Sequence, residues 1–350
     1  YLRILFDIRD MEIKDLPYVG ILKYILGYMD TERYGFSELA NEINIHTGGI
    51  SASCGVYPHV KKPEDMQFMF ELRVKTLASE LPQAMDLLRE IIAQLRSRVE
   101  AAFDGSGHSV ASMRALSYFS RAAYYQEATA GISFYELVAD LDEHFNEKKD
   151  ALIAQLEKMV QTIFVPERMI VSVVCEEADY QAVEAQIAFL LKNLYPSKEI
   201  VKERSLPELH LEKKNEGFMD ASQVQYVARA GNYVRHGFSY HGALRILKVI
   251  MGYDYLWINV RVKGGAYGCM NSYMRNGDTY FVSYRDPNLK KTDEIYDGIP
   301  QYLADFKADE REMTKYIIGT ISDMDTPMNP SAKGARSMTA YLQGLDFADI

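Results

Sequence analysis

The sequence predicts an α+β fold made of two tandem, related two-layer α/β units, and three observations support this prediction. Segments with helical and strand periodicity alternate, the same order of segments occurs twice, and a stretch with little apolar periodicity separates the two copies. A chain of 350 residues is too long for one ordinary domain and suits two. We expect a first unit over 1–195, a linker over 196–216 and a second unit over 217–350.

In the first unit, alternating apolar and polar residues predict strands, and apolar residues at helical spacing predict helices. The expected strands cover 1–10, 67–77 and 168–176, and an extended segment with a glycine pair covers 44–57. The expected helices cover 16–29, 38–43, 81–102, 110–126, 133–164 and 178–194, with a loop at 104–108.

In the second unit, the same criteria predict helices over 240–252, 291–306 and 310–320 and strands over 218–230 and 257–261. A glycine-rich turn at 264–268 comes next. Two further strands, 269–275 and 279–284, form a hairpin across Asn276-Gly277, which is a strong two-residue turn signal.

The two halves align with each other. The segment Leu22–Tyr28 matches Leu247–Tyr253, and the Gly48-Gly49 pair matches Gly264-Gly265. In both halves an alternating strand and a helix follow the glycines. We infer a tandem duplication. The second copy is expected to be truncated, because nothing after residue 320 predicts the last strand and helix of the first copy.

Composition excludes several classes of protein. With 48% hydrophobic and 25% charged residues the chain is an ordinary globular protein, and a net charge of −10 opposes a nucleic-acid partner. The three cysteines are far apart and form no Cys-x-x-Cys pair, which favours a reducing compartment. The longest apolar stretch, Met169–Cys175, is far shorter than the roughly 20 residues of a membrane helix.

The start of the chain gives one more expectation. Tyr1–Asp7 has no initiator Met and no signal sequence, and it reads as the inside of a strand. We therefore expect a piece of a longer polypeptide, located in the cytoplasm by default, with an organelle matrix as the open alternative. No nucleic-acid or membrane partner is expected.

Metal, phosphate and nucleophile motifs give little. None of the seven histidines begins a His-Glu-x-x-His or His-x-x-Glu-His motif, and at the nearest approach, His144–Lys148, a lysine occupies the second ligand position. We expect a solvated helix face there and no metal bound by this chain. The segment Gly105-Ser106-Gly107 follows a helix and lacks Gly-Lys-Ser/Thr, which favours a surface loop over a phosphate site. No Gly-x-Ser-x-Gly is present.

The most informative stretch is Arg261–Gly268, with the sequence Arg-Val-Lys-Gly-Gly-Ala-Tyr-Gly. An arginine and a phenol are donors suited to a carbonyl that is becoming an oxyanion, and glycines let a backbone approach a ligand. In the first copy, Ile45 and Ser51 stand at the positions of Arg261 and Tyr267. The glycines therefore read as requirements of the fold. From the residues alone, a surface arginine and a packed tyrosine remain the alternative.

This string resembles the Arg-x-Lys-Gly-Gly-Ala-Tyr-Gly signature in the C-terminal half of the pitrilysin/insulysin family of zinc peptidases, in its presequence-protease branch. The resemblance covers the whole chain and implies the third repeat of such an enzyme followed by the start of the fourth. It also implies two bowl-shaped halves that close around an unfolded peptide. The inverted zinc motif lies in the N-terminal half of these enzymes, so the resemblance implies zinc in the full-length enzyme and none in this chain.

By the same resemblance, Arg261 and Tyr267 bind the substrate backbone and stabilise the oxyanion, while Gly264 and Gly265 shape their loop. The implied partners are an N-terminal zinc-bearing half, which supplies the attacking water and the general base, and an unfolded peptide substrate. The chain alone is then expected to be inactive. The alternative is a catalytically inactive scaffold or interaction module of the same fold, and a stand-alone hydrolase has no supporting motif.

Overall fold

The computed structural model describes residues 1–25, 33, 35–93, 107–196, 204–219 and 223–346. Its strands are β1 (Leu2–Asp7), β2 (Ile50–His59), β3 (Lys62–Val74), β4 (Met169–Val173), β5 (Ala228–Asn232), β6 (Gly268–Tyr273) and β7 (Asp278–Tyr284). Its α-helices are α1 (Leu16–Ile25), α2 (Phe36–His46), α3 (Leu81–Ala93), α4 (Gly107–Ser117), α5 (Arg121–Ala130), α6 (Ile132–Glu143), α7 (Phe145–Ile163), α8 (Tyr180–Asn193), α9 (Ala243–Ile250), α10 (Lys290–Asp297), α11 (Ile299–Asp305), α12 (Glu310–Met324) and α13 (Pro330–Leu342). A π-helical segment, Met251–Val262, continues from α9.

The first sheet has the strand order β2-β3-β1-β4, with antiparallel neighbours throughout. Because side chains alternate across a strand, Ile4 and Phe6 of β1 face the same side as Phe68 and Phe70 of β3. Helices α1, α3, α5, α6, α7 and α8 bury this side in one large apolar core. Phe164, after α7, packs edge-on against both Phe6 and Phe70.

The second sheet has the strand order β5-β7-β6, again antiparallel. If β5, β6 and β7 are matched with β1, β2 and β3, the two sheets have the same order. This agreement confirms the α+β class and the tandem relationship that the sequence predicts. One side of the second sheet packs through Phe281 against Tyr296 of α10, in a smaller core that includes Leu256 and Val260.

Both glycine pairs lie where a helix gives way to a strand. Gly48-Gly49 connects α2 to β2, and Gly264-Gly265 connects the π-helical segment to β6. In each pair the second glycine has positive φ, 124° at Gly49 and 83° at Gly265, which side chains with a Cβ rarely adopt. The aligned glycines thus perform the same backbone task in both copies.

Each half contributes a helix to the other. Helix α4 of the first half packs against β5 and β7, where its His108 lies edge-on to the Tyr284 ring at 4.9 Å. Helix α13 of the second half packs on the side of the first sheet opposite the large core, through Met338 and Leu342. The first sheet is therefore covered on both sides, which extends the two-layer arrangement that the sequence predicts.

A buried ion pair supports the docking of α13. Arg3 donates two hydrogen bonds to the Glu71 carboxylate, at 2.5 and 3.0 Å, and a third to the Ala335 carbonyl oxygen of α13 at 3.1 Å. Burial by itself would raise the pKa of Glu71, but the hydrogen bonds from Arg3 and Arg73 hold that pKa below its ordinary value. The carboxylate stays charged and keeps Arg3 oriented toward α13.

Several predicted boundaries in the first half are wrong. The segment Asn44–His46 was expected to be extended but completes α2. The helix expected over 110–126 is interrupted, because Ser120 accepts a hydrogen bond from the Ala123 backbone and starts α5 as an N-cap. The expected loop at 104–108 is wrong at 107–108, which begin α4. Residues 26–29 and 94–106, parts of other predicted segments, lie outside the described residues.

The second half departs further from prediction. The expected strand over 218–230 begins only at Ala228, and residues 257–261 are helical instead of extended. The hairpin turn has three residues, 275–277, because Met274 N donates to the Asp278 carbonyl oxygen and Gly277 makes the turn at φ 92°. Helix α13 was not predicted, although Asn329 caps it and Pro330 occupies its first turn.

The stretch that was expected to be a linker carries no regular secondary structure over 204–219. It is bound to the first half, since Arg121 donates to the Pro207 carbonyl oxygen and Arg114 forms an ion pair with Glu216 at 3.0 Å. The division into units at 196–216 stays a prediction. Among the helices that the structure describes, none has the length and apolar character needed to cross a bilayer.

Candidate functional site

Arg261 lies on a helix and not on the predicted strand. The π-helical segment buries Met251, Leu256 and Val260, which are five and then four positions apart. That spacing fits i→i+5 hydrogen bonding, in which a turn is wider than in an α-helix. The other side of the segment is left toward solvent. Arg261 is on its last turn, one position after the buried Val260.

The glycine pair closes the end of this segment. Gly265 N donates to the Arg261 carbonyl oxygen at 2.8 Å, and Ala266 N donates to the Val260 carbonyl oxygen at 3.2 Å. A Cβ at Gly264 would collide with that same Val260 oxygen. Asn288 donates to the Gly264 carbonyl oxygen at 2.6 Å. The loop is thus held by its own backbone, and glycine is required at 264 for space and at 265 for positive φ.

The closed loop brings Arg261 and Tyr267 together. The guanidinium carbon of Arg261 lies 5.7 Å from the centre of the Tyr267 ring and 4.0 Å from the centre of the Trp257 ring. Stacking occupies the face of a guanidinium and leaves the N–H groups at its edge free to donate. No carboxylate of the described residues forms an ion pair with Arg261. The arrangement provides an oriented cation with donors available for a ligand.

Tyr267 projects from the start of the second sheet. Its backbone N donates to the Tyr284 carbonyl oxygen at 3.0 Å, and its ring meets the Tyr284 ring edge-on at 5.7 Å. The side chain is 65% exposed, so it is not the packed tyrosine that the residues alone left as an alternative. A rigid backbone and an exposed phenol suit a residue that donates a hydrogen bond to a bound molecule.

Sequence reasoning missed the residues that hold this pair in place. Trp257 supports Arg261 from one turn earlier, and Tyr284 supports Tyr267 and is itself packed by His108 of the first half. Trp257 is the only tryptophan of the chain and lies four positions before Arg261. That spacing would have indicated a stacked pair if the segment had been assigned as helical.

The arginine also acts on a nearby thiol. Burial raises the pKa of Cys269 to about 11, and the positive charge of Arg261 opposes that rise. Cys269 lies on β6, two positions after Tyr267. Beside it opens a cleft of about 900 Å³ between the two halves, and Trp257, which stacks on Arg261, also lines this cleft.

The described residues do not fit a metal ion. They contain no group of three or more His, Cys, Asp or Glu side chains placed to bind one. At the nearest sequence match to a zinc motif, His144 contacts Asp140 at 3.2 Å and Lys148 forms an ion pair with the same carboxylate. Of the glycine-rich Gly105–Gly107 segment, only Gly107 is described, and it begins α4 against the Tyr226 ring.

Comparisons with known proteins identify both halves. The family model of the domain associated with subfamily C of the M16 peptidases matches residues 1–141, and the model described as "PreP C-terminal domain" matches residues 215–349. Protein HypA of Clostridium perfringens is 39% identical over 100% of this chain and 37% of its own length. Presequence protease 1, chloroplastic/mitochondrial, of Arabidopsis thaliana is 30% identical over 99% of this chain and 33% of its own length.

Solved structures share the fold. The peptidase M16 inactive domain from Pseudomonas fluorescens has a TM-score of 0.55 at 13% identity, and the match covers 99% of this chain and 82% of that one. A protease from Helicobacter pylori has a TM-score of 0.58 at 12% identity, over 98% of this chain and 84% of the other. At such identities the likeness shows the fold alone.

The curated relatives are much longer than this chain, which spans about a third of their length. The two family models together account for both halves, in the order expected from the resemblance of Arg261–Gly268. The chain belongs to the M16, or pitrilysin, family of peptidases and corresponds to the C-terminal half of a presequence-protease-like protein.

Proposed function

We propose that this chain is the non-zinc-bearing half of a peptide-degrading metalloendopeptidase, and that it closes a chamber around the peptide and binds the peptide backbone. The observation that carries the proposal is the pairing of Arg261 and Tyr267 on a rigid loop, both unpaired with any carboxylate of the described residues. Membership of a peptidase family supports the reaction class.

In this proposal the two side chains act on the scissile carbonyl. The edge of the Arg261 guanidinium and the Tyr267 hydroxyl donate hydrogen bonds to the peptide, and they stabilise the negative charge that develops on the carbonyl oxygen. Trp257 keeps the guanidinium plane fixed, so that its donors are oriented before the reaction. Gly264 and Gly265 allow the tight loop that sets the spacing of the two donors.

The proposed partner is an N-terminal half that carries the zinc, since the residues described here do not form a metal site. We propose that this chain alone does not cleave peptides. The proposed compartment is the cytoplasm, with an organelle matrix as the alternative, because the Arabidopsis relative is named as chloroplastic/mitochondrial. An inactive scaffold of the same fold is the outcome to be tested against.

The test is cleavage of an unfolded peptide by this chain mixed with a zinc-motif-bearing N-terminal half. We expect efficient cleavage by the mixture, none by this chain alone, and a loss in the mixture when Arg261→Ala or Tyr267→Phe is introduced. If the mixture assembles and cleaves equally well with either substitution, the proposed role of these two residues is wrong. If the wild-type halves assemble without cleavage, the scaffold interpretation takes over.

A further inference from the structure

The cleft beside Trp257 has the dimensions of a ligand site. It occupies about 900 Å³ between β2, α4 and α5 of the first half and α9, the π-helical segment and the β6–β7 hairpin of the second. Ligand sites commonly have volumes of about 300–1,000 Å³ and occur between packed units. Arg261 and Tyr267 do not line this cleft, so it is separate from the proposed carbonyl-binding pair.

The charges that line the cleft are mainly positive, in a chain whose net charge is −10. Arg245 and Lys248 enter from α9, and Arg275 enters from the hairpin turn. The lining carboxylate among the described residues is Asp278, which is 2% exposed and bonded to the Asn232 side chain at 2.8 Å. Lys248 forms no ion pair within the part of the chain that the structure describes. The cleft therefore favours an anionic group.

One polar atom in the cleft wall lacks a partner. Asn271 is 6% exposed, and its Nδ2 donates to the Lys248 carbonyl oxygen at 3.3 Å, but its Oδ1 accepts no hydrogen bond from the described residues. An unsatisfied buried acceptor costs about 1–3 kcal/mol. A ligand that brings an N–H group to this oxygen would remove that cost. A peptide backbone supplies such a donor next to its carboxylate groups.

Two aromatic side chains at the rim complete the site. Tyr253 is 69% exposed and Trp257 is 39% exposed, and both line the cleft. Aromatic faces left in water favour the packing of apolar side chains of a ligand. The combination of cations, an unpaired acceptor and aromatic faces is specific to a mixed ligand and excludes a purely apolar one.

We propose that this cleft binds a peptide segment that carries a carboxylate, either its C-terminus or an acidic side chain, at a distance from the bond that is cut. Lys248 and Arg245 bind the carboxylate, Asn271 Oδ1 accepts a backbone N–H, and Trp257 packs against a neighbouring apolar side chain. The identification of the ligand as a peptide rests on the proposed function. The site itself rests on the cleft.

The test uses the emission of Trp257, the only tryptophan of the chain, as the reporter of binding. The chain is titrated with a short, tryptophan-free apolar peptide that carries two Glu residues and a free C-terminus. Parallel titrations use the same peptide with Gln in place of Glu, and each peptide with an amidated C-terminus. Anisotropy of a labelled peptide provides a second readout that does not depend on Trp257.

We expect removal of the recognised carboxylate to weaken binding about tenfold, as loss of a charge-assisted hydrogen bond does. A loss on amidation identifies the C-terminal carboxylate, and a loss on replacement of Glu identifies the side chain. Lys248→Glu should abolish the preference, and Lys248→Gln should reduce it. Lys290→Glu is the matched control, because Lys290 is exposed on α10 outside the cleft, and it should leave binding unchanged.

Three results would overturn the proposal: no binding of any peptide by either readout, equal binding of the charged and uncharged peptides, or equal weakening by Lys248→Glu and Lys290→Glu. The cleavage assay separates this outcome from the proposed function. If Arg261→Ala abolishes cleavage while Lys248→Glu changes no peptide preference, the cleft proposal fails and the proposed function stands. If the peptide preference holds but Arg261→Ala has no effect on cleavage, the reverse is true.

Discussion

The two glycine pairs occupy the same place in two copies of one fold and differ in what surrounds them. Gly49 and Gly265 both turn the chain from a helix into a strand with positive φ. Around the first pair, the aligned side chains are Ile45 and Ser51, which offer no cation and no phenol. Around the second, the Arg261 guanidinium lies 5.7 Å from the centre of the Tyr267 ring. The comparison separates what the fold requires from what one copy has added.

The largest difference between the two junctions should be in catalysis. In the assembled enzyme, Arg261→Ala is expected to lower kcat/KM by about 10²- to 10³-fold, because one donor to the developing oxyanion is lost. The matched substitutions Ile45→Ala and Ser51→Ala in the first copy should change it less than about twofold. Steady-state cleavage of one peptide by all three variants measures this. A comparable loss at Ser51 would show that the first copy also acts on the substrate.

The second difference should be in stability. Gly264→Ala places a Cβ on the Val260 backbone oxygen, which cannot move without breaking the helix end, so we expect a loss of about 1–3 kcal/mol in the free energy of unfolding. Gly48→Ala meets the flexible side chain of Lys75 at 2.9 Å, and should cost less than about 1 kcal/mol. Urea unfolding of both variants followed by circular dichroism distinguishes them. Equal losses would contradict the structural difference described here.

The third difference concerns the thiols on the strands that follow the glycines. Burial raises the pKa of Cys54 on β2 to about 12 and that of Cys269 on β6 to about 11, where Arg261 opposes the rise. A thiol reacts as thiolate, so Cys269 should be labelled about tenfold faster than Cys54 at the same pH. Both rates should rise with pH up to their pKa values. The exposed Cys175 should react before either of them.

Peptide mapping after timed alkylation measures all three rates. Arg261→Ala removes the charge that favours the Cys269 thiolate and should slow Cys269 while leaving Cys54 unaffected. If Cys54 reacts first, the environment assigned to the second junction is wrong.

The smallest effect is expected from the residue that positions Arg261. Trp257→Ala removes a cation–π contact worth about 0.5–1 kcal/mol, so kcat should fall about two- to fivefold with little change in KM. Trp257→Phe should restore part of the rate, which a general loss of structure would not allow. In the chain alone, Arg261→Ala should shift the emission of Trp257. Unchanged emission would contradict the stacking of these two side chains.

The sequence was sufficient to predict the class of fold, the duplication and the site pair, because each depends on a local pattern. Alternation predicted the paired strands, and the glycines predicted the two junctions. It failed at Trp257–Arg261, since a wide helical turn places apolar residues at spacings that resemble those of a short strand. The support of Tyr267 by Tyr284 and His108 was also out of reach, because it joins residues from different halves.

Helix α13 was missed for a similar reason. Its apolar residues are few, and Met338 and Leu342 are buried only because the first sheet offers Leu5, Tyr57 and Met69 on its second side. Such burial depends on a partner more than 250 residues away, and no window of local sequence contains it. The division into units at 196–216 and the roles of Arg261 and Tyr267 remain predictions.

The docking of α13 has a consequence for synthesis on the ribosome. Leu5, Tyr57 and Met69 belong to strands that leave the exit tunnel well before Met338 and Leu342, which cover them. At about 5–20 residues per second, the gap between β4 and α13 is on the order of 10 to 30 s. During that interval a nascent sheet presents apolar side chains to the surrounding solution, and the Arg3–Glu71 pair awaits its helix. We expect this face to be a binding site for chaperones that act on nascent chains.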